Sequence, residues 1–330
     1  MGIEIVNIGK SVPNLVVTNE DLTKIVDTSN EWIIERTGIG ERRIAVTESA
    51  LDFATVSAKE ALGWEAGSDG PKIDADSIDL VIVATVTPDQ MVPAMSSMLI
   101  KELDLSNAKG FDVNMACSGF MYGLWVAEAL MKTNNMKRAL VIGVERLSRI
   151  TNWTDRGTCI LFADGGGCAL LENRQGNKGL LSSVVKNYDD TNQVLSVGMN
   201  YAETPFDVNW SEESTMYIKM RGTQVFRFAV RAVEEVMDEA LKQAGLTADD
   251  IKYYVPHQAN MRIINAVAQK FKQPIEKFQI SIANTGNVSA ASVPMALYDL
   301  MKSGKVKEND KIMLVGFGGG LSAGASIFEI

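Results

Sequence analysis

A series of short, continuous apolar runs, each closed by turn residues, constrains this chain more than any other feature. Residues 78–86, 140–144, 159–162, 253–255 and 312–315 carry almost no polar alternation, as strands buried on both faces do, and 111–115 and 278–282 read as strands beside them. Apolar residues at helical spacing lie between many of them, including 50–62 after a capping Ser49, and 121–131. Strands alternating with helices call for crossovers between parallel neighbours. The expectation is therefore an α/β protein with mixed, mostly parallel sheets covered by helices.

At 330 residues the chain has length for about two domain-sized units, and its halves echo one another. Glu60-Ala61-Leu62, then Asp74-Ala75-Asp76-Ser77-Ile78-Asp79 and a strand, is matched by Glu239-Ala240-Leu241, then Thr247-Ala248-Asp249-Asp250-Ile251-Lys252 and a strand. Two duplicated halves are expected, 1–180 and 181–330, joined across the polar, turn-rich stretch near 173–190. Residues 187–213 read as a polar, irregular surface insertion.

Composition then removes several classes. Hydrophobic residues at 46% and charged residues at 22% suit a globular protein and not a disordered one. No window approaches the ~18 consecutive apolar residues of a membrane helix. Cys117, Cys159 and Cys168 form no C-x-x-C pair, which argues against a disulfide framework or zinc site and for a cytoplasmic protein. A formal charge of −9 opposes general nucleic-acid binding. Cys159 and Cys168 read as core.

Four segments carry chemistry. Asn114-Met115-Ala116-Cys117-Ser118-Gly119-Phe120 puts a thiol at a strand-to-helix corner, where a helix N-terminus would lower its pKa and make it a nucleophile. A buried structural cysteine is the alternative reading of the same residues. His257, the only histidine, ends a strand in Pro256-His257-Gln258-Ala259-Asn260, so any imidazole chemistry must use it. Asn284-Thr285-Gly286-Asn287-Val288-Ser289-Ala290-Ala291-Ser292 brings amides to another such corner. Gly316-Phe317-Gly318-Gly319-Gly320-Leu321 lacks the Lys-Ser/Thr of a phosphate loop, so its glycines are expected to let backbone N–H groups approach a reacting oxygen. Residues 30–43 combine Trp32, Arg36, Arg42 and Arg43 with glycines. This stretch fits either a surface helix and turn or a clamp for a phosphorylated aromatic ligand.

Together with Asp27-Thr28-Ser29-Asn30-Glu31-Trp32, Arg36-Thr37-Gly38-Ile39, Thr154-Asp155-Arg156-Gly157-Thr158 and Met220-Arg221-Gly222, these motifs resemble the β-ketoacyl-[acyl carrier protein] synthase III family over nearly the whole chain. The resemblance implies a five-layered αβαβα thiolase fold, usually homodimeric. It implies that Cys117 takes an acyl group from acyl-CoA, with Cys117 and Gly319 N–H groups as oxyanion hole. His257 and Asn287 would then support decarboxylation of malonyl-acyl carrier protein and condensation, the initiating step of fatty acid synthesis, with no metal or redox cofactor. Thr28, Trp32, Arg36 and Arg156 are implied to hold the CoA nucleotide. Gly222, Phe226 and Asn260 are implied to line the pantetheine tunnel, Val92 and Phe317 the acyl pocket, and Arg227, Arg262 and Lys270 to dock the acidic carrier protein.

The chain departs from the pattern at Val288 (often Thr), Ala323 (often Trp) and Val92 (often Phe). The last two imply a roomier acyl site that accepts branched or medium-length starters. A thiolase would need a second cysteine near the C-terminal glycines, and the elongating condensing enzymes need two histidines. Starter synthases of polyketide or quinolone metabolism keep Cys-His-Asn and remain an alternative, as do a Cys-His-Asn hydrolase and a non-catalytic partner subunit.

Overall fold

The computed structural model describes residues 2–64, 70–176, 178–198 and 216–330. The chain opens with β1 (Gly2–Ser11) and β2 (Leu15–Thr18), then α1 (Asn19–Leu22) and α2 (Asn30–Thr37), returning through β3 (Glu41–Ile44), which pairs with β2. There follow α3 (Ala50–Ala61), β4 (Leu80–Ala84), α4 (Met95–Glu102), β5 (Lys109–Val113), α5 (Gly119–Thr133), β6 (Arg138–Arg146), α6 (Arg156–Cys159) and β7 (Asp164–Arg174). The second part comprises β8 (Gly179–Asn187), β9 (Leu195–Val197), β10 (Ile218–Met220), α7 (Gly222–Ala244), β11 (Tyr253–Pro256), α8 (Met261–Lys270), α9 (Ile282–Thr285), α10 (Ser292–Lys302), β12 (Lys311–Gly318) and β13 (Ser322–Glu329).

Two sheets face each other, in the orders β1-β7-β6-β4-β5 and β11-β12-β13-β8. Parallel pairing occurs between β4 and both β5 and β6, and between β11 and β12. The remaining ladders of both sheets are antiparallel. Helices α5 and α10 lie between the sheets, where Phe120, Leu124, Val293 and Leu297 bury against Ile82, Val141, Leu314 and Phe328. Helices α3 and α4 cover the outer face of the first sheet, and α7 and α8 that of the second. The result is five layers. The inner strands β4, β6 and β12, covered on both faces, are apolar almost throughout and so read as continuous runs, whereas the edge strands β1, β5 and β8 carry polar residues and are only partly buried.

Some features recur along the chain. A short 3-10 turn precedes β4 (Ala75–Ser77) and another precedes β11 (Ala248–Asp250), and β1 and β8 take equivalent edge positions. The chain crosses from one sheet to the other between the end of β7 at Arg174 and the start of β8 at Gly179.

Two expected strands are absent. Residues 159–162 hold the end of α6 and a turn, because Asp155 accepts hydrogen bonds from the Gly157 N–H (2.8 Å) and the Thr158 hydroxyl (2.7 Å), capping one helical turn. Residues 278–282 keep a single bridge, Tyr254 to Phe278. The Gln258 side-chain oxygen captures the Ser281 and Ile282 N–H groups at 2.9 and 3.1 Å, so they are not free for a ladder. Cys159 and Cys168 are core, as expected. In the stretch read as an irregular insertion, β9 pairs with β10, while residues 199–213 lie outside the described residues.

Candidate active site

The corner at Cys117 is built by three constraints. Asp112 of β5 accepts from the N–H groups of Met95 (2.7 Å) and Ser96 (2.8 Å), supplying the cap that Ala94 cannot give α4. Ser118 donates to the Met115 carbonyl (2.7 Å) and its hydroxyl meets that of Ser322 on β13 (2.7 Å), pinning the turn to the second sheet. Gly318 completes the approach: a Cβ there would fall 2.6 Å from the Cys117 nitrogen, so only glycine fits.

Cys117 lies in a 3-10 turn (Ala116–Ser118) at the start of α5 and is 7% exposed. Burial, aided by the nearby Glu145 carboxyl, pushes its thiol up from 9.0 to about 12. This reverses the expected lowering. A rise of that size corresponds to about 4 kcal/mol, whereas a helix terminus returns at most ~2 kcal/mol. The resting sulfur is therefore a thiol.

His257 extends β11 and its N–H donates to the Val315 carbonyl of β12 (2.7 Å). Its Nδ1 lies 2.5 Å from the Ser292 hydroxyl, which also accepts the Gln258 N–H at 3.3 Å. A Ser292 hydroxyl that donates to Nδ1 leaves Nε2 as the protonated nitrogen. Burial holds the imidazole at about 3, neutral at physiological pH. Asn287 is set by a bridge to Phe162. Its side-chain oxygen is occupied by the Ser289 N–H (2.9 Å), so its remaining donors are those of the NH2 group. Gln258, fully buried, also donates to the Pro256 (2.7 Å) and Gln279 (3.1 Å) carbonyls and so ties the histidine loop to the asparagine loop.

Cys117, His257 and Asn287 line one cavity of about 380 Å³. Phe317 packs its ring edge-on to His257 at 5.1 Å, and Leu195 and Leu321 complete the inner wall. Toward the mouth stand Gly222, Phe226 and Asn260, then Trp32, Arg36 and Arg262. Arg36 and Arg156 both hold their guanidinium carbons 4.6 Å from the Trp32 ring centre, and Arg156 also donates to the Asp27 carbonyl (2.8 Å). Asn260 caps α8 and donates to the Arg36 carbonyl (2.9 Å), so its side chain braces the mouth.

Several expected residues lie elsewhere. Thr28 and Arg156 flank the mouth without lining the cavity, and Gly318 rather than Gly319 lines its inner wall. Val92 is 84% exposed, away from its own chain's cavity. Arg42 is no ligand clamp: it is wholly buried and bonds to Asn19 (2.8 Å) and the Ile160 carbonyl (2.8 Å). Arg227 is exposed, and Lys270 is paired with Glu234. Val288 packs in the core with Ala163 and Met295.

Residues 111–189 match the family model for 3-oxoacyl-[acyl-carrier-protein (ACP)] synthase III, and residues 241–330 match that for its C-terminal part. The β-ketoacyl-[acyl-carrier-protein] synthase III of Clostridium beijerinckii is 44% identical over 99% of both chains.

The chain belongs to the 3-oxoacyl-[acyl-carrier-protein] synthase III family.

The family member of Aquifex aeolicus VF5 superposes at a TM-score of 0.91 with 39% identity, covering 100% of each chain. A second solved structure, the priming β-ketosynthase of the R1128 polyketide pathway, gives 0.90 with 32% identity over 100% of this chain and 96% of that one. Among the described residues no helix is long and apolar enough to cross a membrane.

A neutral imidazole makes acid stability a direct readout of this site. The unfolded imidazole takes up its proton below about 6.5 while the folded one resists until about 3. Its contribution to stability is thus complete above 6.5 and is lost as pH falls toward 3. Denaturant unfolding at pH 7 and 4.5 should show about 2–3 kcal/mol more loss in the parent protein than in His257→Gln; equal losses would contradict a buried neutral imidazole.

Proposed function

We propose that this chain condenses an acyl-CoA starter with malonyl-acyl carrier protein, giving 3-oxoacyl-acyl carrier protein, CoA and CO2, the step that initiates type II fatty acid synthesis. The observation that carries this reading is the meeting of Cys117, His257 and Asn287, from three distant segments, in one buried cavity. Its chemistry follows from the donors it offers.

Cys117 attacks the acyl-CoA carbonyl and keeps the acyl group. Backbone N–H groups of Cys117 and of the Gly318-Gly319 turn receive the tetrahedral oxyanion, a role in which one donor is worth about 3–4 kcal/mol. After CoA leaves, malonyl-carrier protein binds and loses CO2. The Nε2–H of His257 and the amide of Asn287 donate to the enolate oxygen so formed, and its carbon attacks the acyl-cysteine. Both donors are neutral, and no step calls on a metal or redox cofactor. At the mouth, Trp32 stacks on the adenine with Thr28, Arg36 and Arg156 around the nucleotide, while Gly222, Phe226 and Asn260 flank the pantetheine arm. Arg227 and Arg262 are the cations offered to an acidic carrier protein. Lys270 contributes only by releasing Glu234. The setting is the cytoplasm.

The working unit is a homodimer of chains with duplicated halves 1–180 and 181–330, in which exposed Val92 closes the partner's acyl pocket. Ala323 stands directly across the hairpin from Phe317, and cross-strand neighbours share a face. Alanine there leaves room beside the cavity's aromatic wall, favouring branched or medium starters. Intact-mass analysis with acetyl-, branched and medium-chain acyl-CoA, then malonyl-carrier protein, tests the whole scheme. An adduct on Cys117 that is consumed only with the malonyl donor is expected. Turnover of acetyl-CoA alone would remove the enlarged pocket, and rapid hydrolysis of the adduct would indicate a hydrolase.

The likeness to the R1128 priming synthase favours a second reading, starter condensation in polyketide metabolism. Preference for a polyketide carrier over a fatty acid carrier in the same assay decides for it. Since burial raises the Cys117 thiol, slow alkylation at neutral pH does not mark a non-catalytic subunit; failure of acyl transfer does.

A further inference from the structure

Behind the cavity wall stands a buried cation that the scheme above leaves unused. Arg42 on β3 is wholly buried, and the acceptors of its guanidinium are all neutral. Nη2 donates to the Ile160 carbonyl (2.8 Å), and Nη1 to the Asn19 side-chain oxygen (2.8 Å) and the Val17 carbonyl (3.3 Å). Nε meets no acceptor among the described residues. A cation taken out of water without an anion costs stability that neutral hydrogen bonds only partly return. What a guanidinium offers instead is a rigid planar fork that fixes several oxygens at once.

The Ile160 carbonyl belongs to one side of a joint that carries Asn287. Ile160, Leu161 and Phe162 line the cavity and are tied to the asparagine loop by the bridge from Phe162 to Asn287. Two backbone bonds make that joint. The Asn287 N–H donates to the Leu161 carbonyl (2.9 Å), and the Ala163 N–H to the Asn287 carbonyl (2.9 Å). Arg42 touches both sides of it. Its guanidinium fixes the carbonyl just before Leu161, and its stem abuts the residue just before Asn287, since a Cβ at Gly286 would fall 3.0 Å from the Arg42 Cβ. The Gly40 N–H, two residues before Arg42, donates to the Ala283 carbonyl of α9 (2.9 Å), so the approach to β3 holds the asparagine loop a second time. Asn19, also wholly buried, steadies the fork. Its NH2 group is committed to the Ile39 carbonyl (2.8 Å) and the Asn30 side-chain oxygen (3.0 Å), leaving its own oxygen for Arg42.

We propose that Arg42 is a positioning residue for condensation: it supports residues 160–163 from behind and so fixes where the Asn287 amide points. The inference rests on the reading of Asn287 as a donor to the enolate oxygen. Cys117 is fixed from other directions, by Ser118, Ser322 and the close approach of Gly318. His257 is held by Val315 and Ser292. Loss of the fork therefore falls on the asparagine, and a catalytic group displaced by about 1 Å costs up to about a hundredfold in rate.

Arg42→Met and Arg42→Lys, each alone and combined with Asn287→Ala, test this by quenched-flow measurement of CoA release and 3-oxoacyl product, with thermal unfolding to establish folding. Arg42→Met should lower condensation by about tenfold to a hundredfold, in kcat rather than in KM for malonyl-carrier protein, while acylation stays within about threefold of wild type. Lysine keeps the charge but has one ammonium in place of the fork, and should lose less, in the same phase. In the Asn287→Ala background either substitution should cost less than about twofold more, because the donor it positions is gone. A residue that serves only stability predicts otherwise: both phases fall together, and the loss repeats in full without Asn287. Either result overturns the proposal, as does wild-type condensation in Arg42→Met. If Arg42→Met does not fold, the same readings of Arg42→Lys decide. Wild-type condensation in Asn287→Ala alone removes the asparagine's role and its support by Arg42 together.

Discussion

Cys117→Ala is expected to abolish both the acyl adduct and condensation, with the fold intact. The sulfur is the only atom in the cavity that can hold an acyl group as a thioester poised for carbon attack, so its removal deletes a covalent step rather than weakening a contact. The side chain is small and 7% exposed, and alanine leaves only a sulfur-sized gap costing about 1 kcal/mol. Intact mass after incubation with acyl-CoA should show no adduct, and the midpoint of urea unfolding should shift only slightly. An adduct persisting in the variant would move the nucleophile elsewhere. Cys159 and Cys168 are buried in other clusters and provide no substitute.

The second large effect separates the two half-reactions. His257→Ala is expected to leave acylation of Cys117 measurable while condensation falls by about 10²–10³, the usual result of removing one donor to a developing oxyanion. Asn287→Ala should behave similarly. Quenched-flow measurement of CoA release against 3-oxoacyl product distinguishes the phases; equal losses in both would show that the imidazole serves acylation instead. Ser292→Ala probes the origin of the Nε2 proton, since Ser292 touches only the Nδ1 side of the ring. Because the chain has one histidine, the 15N spectrum of the imidazole is a single pair of signals. Loss of the Ser292 donor should shift the tautomer toward Nδ1–H and lower condensation without altering acylation.

How much of this was legible depends on the range over which each feature is encoded. The sheets, α3 with its Ser49 cap and α5 announced themselves through apolar runs and spacing, which are local properties. Residues 278–282 failed as a strand because Gln258, more than twenty positions earlier, occupies their N–H groups. In the sequence Gln258, Ser289 and Ser292 are single polar letters within turn motifs, and Glu145 is one acidic residue after an apolar run. Their value lies in partners far along the chain. A buried carboxylate beside Thr85 and Thr87 leaves no periodic trace.

The family motifs named Cys117, His257 and Asn287 without locating them. What the sequence alone determined was an α/β protein with covered sheets, and that any imidazole chemistry must use His257, because strand periodicity and residue type are written position by position. Only the tertiary structure decided that Cys117 rests as a thiol, that Ser292 meets Nδ1 of the imidazole, and that Val92 stands outside its own chain's cavity. Those outcomes depend on which atoms are removed from water and what then faces them, and burial is a property of the folded whole.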